Sequence, residues 1–317
     1  MSNSSNTFKK QISYKSEELA NYFLRKYPDY FITGSSDCSS IIYRYNSHIL
    51  LLIAIGVEYN PYELEEENAK KYILAKKNID IRVQEHLRLA SSLAKQEIVQ
   101  CKVLLYPTLM EYEENNWREI DKTLNFSDIL FFICDSDANG NVINGAELRN
   151  IIHNAILYDS PEIGTGKAEN RQVSCFLQRW TRIFLGTYIK IVDIDGMFHD
   201  GKYNPRILLE IKRSNDPQWL PYLEDYSNYK VGNELAHLCK ITFFVVRHNK
   251  YDDFILLSDN EKVQFYNVIG ILEDVYKDLD AKGEKKGRFL KVVHSKKYMG
   301  SLKELCVEIN KFLGLSS

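Results

Sequence analysis

Asp193, Asp195, Glu210 and Lys212 are the residues of this chain whose types and spacing could do chemistry together. Between the two pairs lies Asp200-Gly201-Lys202-Tyr203-Asn204-Pro205, a run of turn formers flanked by strand-like segments, Ile189 to Asp193 with Met197-Phe198 before it and Ile207 to Ile211 after it. A turn there folds the flanks into an antiparallel hairpin. If that hairpin is symmetrical about the Lys202/Tyr203 bond, Asp195 faces Glu210 and Asp193 faces Lys212. Side chains alternate along a strand, so all four share one face while Ile194 and Ile211 point to the other. Directly opposed residues hold their Cβ atoms roughly 4.5–5.5 Å apart, close enough for two carboxylates to chelate one divalent ion. Unless a cation, a proton or the neighbouring lysine offsets the repulsion, one of the two pKa values must rise strongly. Hard oxygen donors of this kind suit Mg²⁺ or Mn²⁺. A single bulge would exchange the roles of the two aspartates and leave Glu210 and Lys212 in place. The plain alternative is a pair of strands joined by surface salt bridges.

Other candidates are weaker. Asp135-Ser-Asp137-Ala-Asn139-Gly140 imitates the opening of an EF-hand loop, but Ala146 stands where the bidentate acid belongs and a strand-like run, Ile129 to Cys134, precedes it. A polar turn capping a helix that starts near Gly145 is the expectation, with no metal. Gly164-Thr-Gly166-Lys167 lacks the spacing of a phosphate-binding loop. His199, beside the proposed turn, reads as a turn-flanking surface histidine. Trp219, Tyr222, Tyr226, Asn228, Tyr229 and Lys230 could offer aromatic and polar contacts to nucleic acid, or simply fill a core. The run Lys282, Lys285, Lys286, Arg288, Lys291, Lys296, Lys297 reads as a solvated basic loop, with a phosphate-contacting rim as the functional alternative.

The elements that must position these groups fall into two halves. In the first, Ile41–Tyr45 and Ile49–Val57 suggest a hairpin, and apolar groups at helical spacing between Glu63 and Gln100 suggest one or two long helices broken near Asn78. Tyr158 to Lys167 holds Pro161, Gly164 and Gly166 and marks the expected junction, giving an N-terminal α/β region over 1–165 and a second part over 166–317. There Val173, Phe176, Leu177, Trp180, Ile183 and Phe184 predict a helix. The hairpin strands follow, then a helix within Tyr222–Cys239, strands at Ile241–Val246 and Phe254–Leu257, and helices near Glu261–Leu279 and Ser301–Leu313. Helix, three strand segments, helix, strand indicates an α/β layered domain with a mixed sheet.

Asp195, then Glu210-Ile211-Lys212 after a hairpin, resembles the PD-(D/E)XK nuclease superfamily, which includes many restriction endonucleases and Holliday-junction and repair nucleases. The resemblance implies a core of helix, three strands, helix, strand, matching the order read from about Lys167 to Val246. It also implies roles: Asp195 and Glu210 as metal ligands, the main-chain carbonyl of Ile211 as a further ligand, Lys212 orienting or deprotonating the attacking water, and Asp193 as an extra acid, either supporting Lys212 or replacing Asp195. The acid that many relatives carry on the first core helix has Glu169 as its nearest candidate. Glu284-Lys-Lys286, Asp200-Gly-Lys202 and Asp280-Ala-Lys282 also satisfy the three-residue pattern, but they sit in expected loops, whereas Glu210-Ile-Lys212 ends an apolar strand.

What the resemblance implies is Mg²⁺-dependent hydrolysis of phosphodiester bonds, Mn²⁺ substituting, in double-stranded DNA. A restriction-type or other defence endonuclease follows by analogy, with the N-terminal half serving recognition, dimerisation or both, so that a homodimer is possible. Two alternatives are a nucleic-acid-binding protein with a degenerate site, or a nuclease for RNA or particular structures. A third is an enzyme of other chemistry centred on the N-terminal half. Composition permits these readings: 44% hydrophobic residues over 317 positions can build two cores, and a net charge of −2 excludes a polybasic protein without excluding local basic faces. Six scattered cysteines with no CxxC pair suggest neither a disulfide framework nor a zinc site, and the polar Met1–Thr7 stretch does not read as a signal peptide, so a cytoplasmic location is expected.

Overall fold

The computed structural model describes residues 17–33, 38–45, 48–57, 66–79, 81–94, 100–107, 127–135, 139–157, 177, 180–181, 184–185, 189–215, 226–249, 255–279 and 285–315. The chain divides into two units, Met1–Ser13 with Ser35–Ile191, and Tyr14–Gly34 with Val192–Ser317. The division thus follows two chain crossings near 34 and 191, and it sends the segment Tyr14–Gly34 to the C-terminal unit. The junction expected over Tyr158–Lys167 lies outside the described residues. Both units are mixed α/β, each with a six-stranded mixed sheet. Among the described residues no helix is long and apolar enough to cross a membrane.

In the first unit the expected hairpin is present as β2 (Cys38–Tyr45) and β3 (His48–Val57), antiparallel from Cys38↔Ile55 to Tyr45↔His48. Strand β3 is buried along nearly its whole length and lies parallel to β4 (Gln100–Pro107). Parallel neighbours need a crossover, supplied by α2 (Glu66–Ile79) and α3 (Ile81–Ala94), which break near Asn78 as the periodicity implied. Strands β5 (Leu130–Cys134) and β6 (Gly140–Asn144) extend the sheet antiparallel, followed by α4 (Gly145–Ala155). The sheet order is β6-β5-β4-β3-β2-β7, with β7 spanning Lys190–Ile194. Leu177, Trp180 and Leu185 are buried in this unit's core with Leu104, Phe131 and Ile152. The apolar stripe read as the first helix of a C-terminal core therefore packs in the other unit, a pairing of faces that periodicity does not encode.

The Asp135–Gly140 segment joins β5 to β6, with the Asp135 N–H donating to the Asn139 carbonyl at 3.1 Å. It does not cap the following helix. That is done by Asn144, whose side chain accepts from the Glu147 N–H at 2.9 Å while Glu147 accepts from the Asn144 N–H at 2.8 Å.

The second unit begins with α1 (Glu17–Lys26) and the three-residue β1 (Phe31–Thr33), neither of which the sequence pattern announced. Strand β8 (Gly196–His199) pairs antiparallel with β1 on one side and with β9 (Pro205–Arg213) on the other. Strand β9 runs parallel to β10 (Thr242–His248), with α5 (Tyr226–Leu238) as the crossover. Strands β11 (Lys262–Leu279) and β12 (Lys285–Ser301) complete the order β1-β8-β9-β10-β11-β12, and α6 (Leu302–Leu313) closes the chain. A strand as short as β1 is held by rings: Phe31 stands 4.5 Å from Phe198, and Phe23 of α1 stands 5.4 Å from Phe31 and 5.2 Å from Phe198, centroid to centroid. Burying the three rings is worth about 4.5–9 kcal/mol together, against about 0.5–1.5 kcal/mol for each of the few hydrogen bonds of so short a strand.

Two expectations change here. The helix expected near Glu261–Leu279 is strand β11, and the expected basic loop beyond it is strand β12. The apolar groups at 263, 265, 266, 268 and 269 satisfy either period. Pairing with β10 and β12 on both sides decides for the strand, placing Val263 and Phe265 in the core with α1 and α6. Ile255 to Leu257, the described part of the expected strand at 254–257, form no regular element. Ser301 caps α6, accepting from the Glu304 N–H at 3.3 Å, and Gly314 ends it at φ +70.

Candidate functional site

The turn that brings the two strands together is built by Asp200. Its carboxylate accepts from the backbone N–H groups of Lys202 at 3.0 Å and Asn204 at 3.2 Å, and from Arg206 at 2.8 Å. Partial burial alone would raise its pKa, but these donors and the Asn204 amide outweigh burial and hold it at about 2. Gly201 at φ +73 and Tyr203 at φ +62 let the chain reverse within so few residues. His199 is buried rather than at the surface. Its ring stacks on Tyr203 at 4.7 Å, and its Nδ1 accepts from the Gly201 N–H at 3.3 Å, so it is part of the turn.

The register is Gly196↔Leu209, Met197↔Leu208 and Phe198↔Ile207, symmetrical about Lys202/Tyr203 until an irregularity between Phe198 and His199. At Asp195 the chain leaves this sheet, since β7 pairs with β2 and β8 starts at Gly196. A Cβ on Gly196 would stand 2.6 Å from the Phe31 ring, so glycine permits the close approach of β1 right after Asp195. Continuous pairing of Asp193 with Lys212 across one hairpin is therefore not formed. Instead Asp195 reaches across, its Oδ2 accepting the Ile211 N–H at 2.6 Å.

Ile207, Leu209 and Ile211 face α1 and α6, so Glu210 and Lys212 lie on the opposite face. Lys212 Nζ is 2.8 Å from Glu210 Oε1 and 5.5 Å from the ring centroid of Tyr229 on α5. Glu210 is only 8% exposed. Burial raises the Asp195 pKa well above the ordinary carboxylate range, and the Glu210 carboxylate beside it raises it further. The Ile211 N–H and the Lys212 ammonium oppose this, and Asp193 adds a smaller push upward. The four residues therefore share one electrostatic neighbourhood. Among the described residues no group of three or more His, Cys, Asp or Glu side chains is gathered closely enough to hold a metal by itself. A divalent ion nonetheless suits the donors present: two enclosed carboxylates, one of them destabilised as an anion.

Two further charged groups were missed by sequence reasoning. Arg247 of β10 is the register partner of Lys212 and is buried on the same face, next to Gln264 of β11. Parallel pairing across a crossover helix placed it there, so no local signal existed. Glu18, on α1, is buried and pairs with Arg213 at 3.8 Å on the other face of β9. The earlier candidate for a helix acid, Glu169, lies outside the described residues, as do Trp219 and Tyr222. Of the remaining aromatic stretch, Tyr229 is fully buried, and Tyr226 lies under Lys230 at 5.5 Å. Cys101, Cys134, Cys239 and Cys306 are buried thiols outside any disulfide, and burial pushes the Cys239 thiol up to about 11.

No family model, curated protein or solved structure matches the chain.

Proposed function

We propose that this chain is a Mg²⁺-dependent nuclease that hydrolyses phosphodiester bonds of double-stranded DNA in the manner of a restriction or other defence endonuclease, with Asp195, Glu210 and Lys212 as its catalytic group. The observation that carries the reading is the convergence of an enclosed, charge-destabilised Asp195 and a Glu210–Lys212 pair on one strand face. Such an arrangement costs stability unless a cation or a proton offsets the charge. The second unit supports it as well: α1, β1, β8, β9, α5 and β10 run helix, three strands, helix, strand, the order the PD-(D/E)XK resemblance implies, with residues 35–191 placed between its first two strands.

Asp195 and Glu210, with the Ile211 carbonyl, would hold the metal, and Asp193 would add negative charge beside them. The bound ion would stabilise the phosphate charge and lower the pKa of a water. Lys212 is held between Glu210 and the Tyr229 face, so its ammonium is positioned rather than loose, and it can orient a water or donate to a phosphate oxygen. The Ile211 N–H holds the Asp195 carboxylate to the backbone of β9. The test is incubation of plasmid and single-stranded substrates with the full chain and Mg²⁺, beside the Glu210→Ala variant. Loss of cleavage in the variant is expected. Equal cleavage by both proteins, or none by either, would overturn the assignment.

A further inference from the structure

We propose that the β11–β12 pair is a nucleic-acid-binding arm that lays its basic strand against double-stranded nucleic acid. The pairing of β11 with β10 ends at Val268, whereas its pairing with β12 continues to Leu279↔Lys285. From Ile269 to Leu279 the two strands thus form a ribbon with β12 at the sheet's edge. At roughly 3.3 Å per residue this ribbon is about 35 Å long, close to one helical turn of duplex. A two-stranded ribbon is also of a width that the major groove admits.

Charge supplies the second argument. Strand β12 carries Lys285, Lys286, Arg288, Lys291, Lys296 and Lys297, and Lys285–Ser301 contains no Asp or Glu. If these cations served the fold, the register would set them against acids across the ribbon, where opposite charges stabilise. Within the ribbon it sets Lys285 against Leu279, Arg288 against Lys277 and Lys291 against Leu272, with Asp278 of β11 against Gly287; Lys296 and Lys297 stand against Asn267 and Tyr266 where β11 still pairs with β10. A lysine or two is enough to keep an edge strand from aggregating, so this density exceeds that need. Register shifts at Val268/Gly270, Leu272/Tyr276 and Asp278/Leu279 add local twist, which suits a ribbon that follows a groove. The choice of duplex as occupant rests on the nuclease reading; the demand for an anionic partner does not.

The test is binding of a fluorescent 30-base-pair duplex by the full chain in EDTA, where no cleavage occurs, compared with a Lys285→Ser/Lys286→Ser/Arg288→Ser/Lys291→Ser variant. Each lost phosphate contact lowers the slope of log affinity against log salt by about 0.9. The variant should therefore bind at least tenfold more weakly at low salt, with a slope reduced by about 2–4. A variant that keeps the charges, Lys285→Arg/Lys286→Arg/Lys291→Arg, should bind like the parent, which separates charge from folding. Equal affinity and slope in the serine variant overturn the proposal. So does tighter capture of polyglutamate or anionic vesicles than of duplex. If no protein cleaves in Mg²⁺ yet the serine variant loses duplex binding, the nuclease reading fails and the arm stands.

Discussion

Asp195 Oδ2 accepts the Ile211 N–H at 2.6 Å, so a carboxylate from the link between β7 and β8 is anchored to the backbone of β9 between Glu210 and Lys212. That single bond places two acids together at the point where the chain changes sheets, and the cost of the arrangement makes it testable.

The Asp195 carboxyl titrates above its unfolded value. It binds its proton more tightly in the folded chain, so its contribution is present at low pH and is lost as pH rises from about 3.9 through the raised value. Asp195→Asn should therefore raise the melting temperature of the metal-free chain more at pH 8 than at pH 5. Mg²⁺ should raise the melting temperature of the parent at pH 8, by about 2–4 °C for each kcal/mol of binding, and should leave the variant unchanged. Calorimetric scans with and without Mg²⁺ decide the matter; equal shifts for both chains would overturn Asp195 as a metal ligand.

Lys212→Met should be more harmful to stability than Glu210→Gln with Lys212→Met together. The single change leaves the Glu210 carboxylate enclosed beside Asp195 with its ammonium gone, a loss of about 3–5 kcal/mol for a buried pair broken on one side. The double change removes both charges. Urea unfolding of the four members of the cycle measures the coupling, which should be at least about 1 kcal/mol. A coupling near zero would mean that the pair is solvent-screened.

Arg247 adds a second cation beside Lys212 on the same face, one strand away. Arg247→Met should lower kcat/KM for cleavage on the order of 10²-fold, as loss of a preorganised donor to phosphate does, while Arg247→Lys should restore part of it. Measured rates unchanged in Arg247→Met would assign the residue to the sheet interior alone.

His248 is fully buried on the α1 face, and burial, with Arg213 and Arg247 nearby, lowers its pKa to about 4. Since the unfolded imidazole titrates near 6.5, the unfolded state binds more protons between those values. Stability should fall by about 3 kcal/mol as pH drops from about 6.5 to 4 and then level off as far as this residue is concerned. His248→Gln should flatten that part of the profile. A variant with the same acid slope as the parent would place the titration elsewhere.

Local chemistry in the sequence determined the hairpin and its register. Asp200, Gly201 and Asn204 demand a turn, and alternation around it leaves Glu210 and Lys212 one face to share. The paired β2–β3 strands, the break near Asn78 and the Ser301-capped helix are likewise encoded within a few residues of themselves. Tertiary structure decided the rest, because each remaining feature depends on a partner distant in sequence. The apolar stripe at Leu177 and Trp180 carries no address, and packing assigned it to the first unit. Helix α1 and β1 join the sheet of the second unit through the rings of Phe23, Phe31 and Phe198, across more than half the chain. Apolar groups along β11 fit two periods, and only pairing on both sides selects the strand. Arg247 meets Lys212 through parallel pairing that no nearby residue signals. Most telling is Asp195: its spacing from Glu210 is legible in the chain, but its bond to the Ile211 N–H is made by its carboxylate just before β8 begins, which no strand pattern announces.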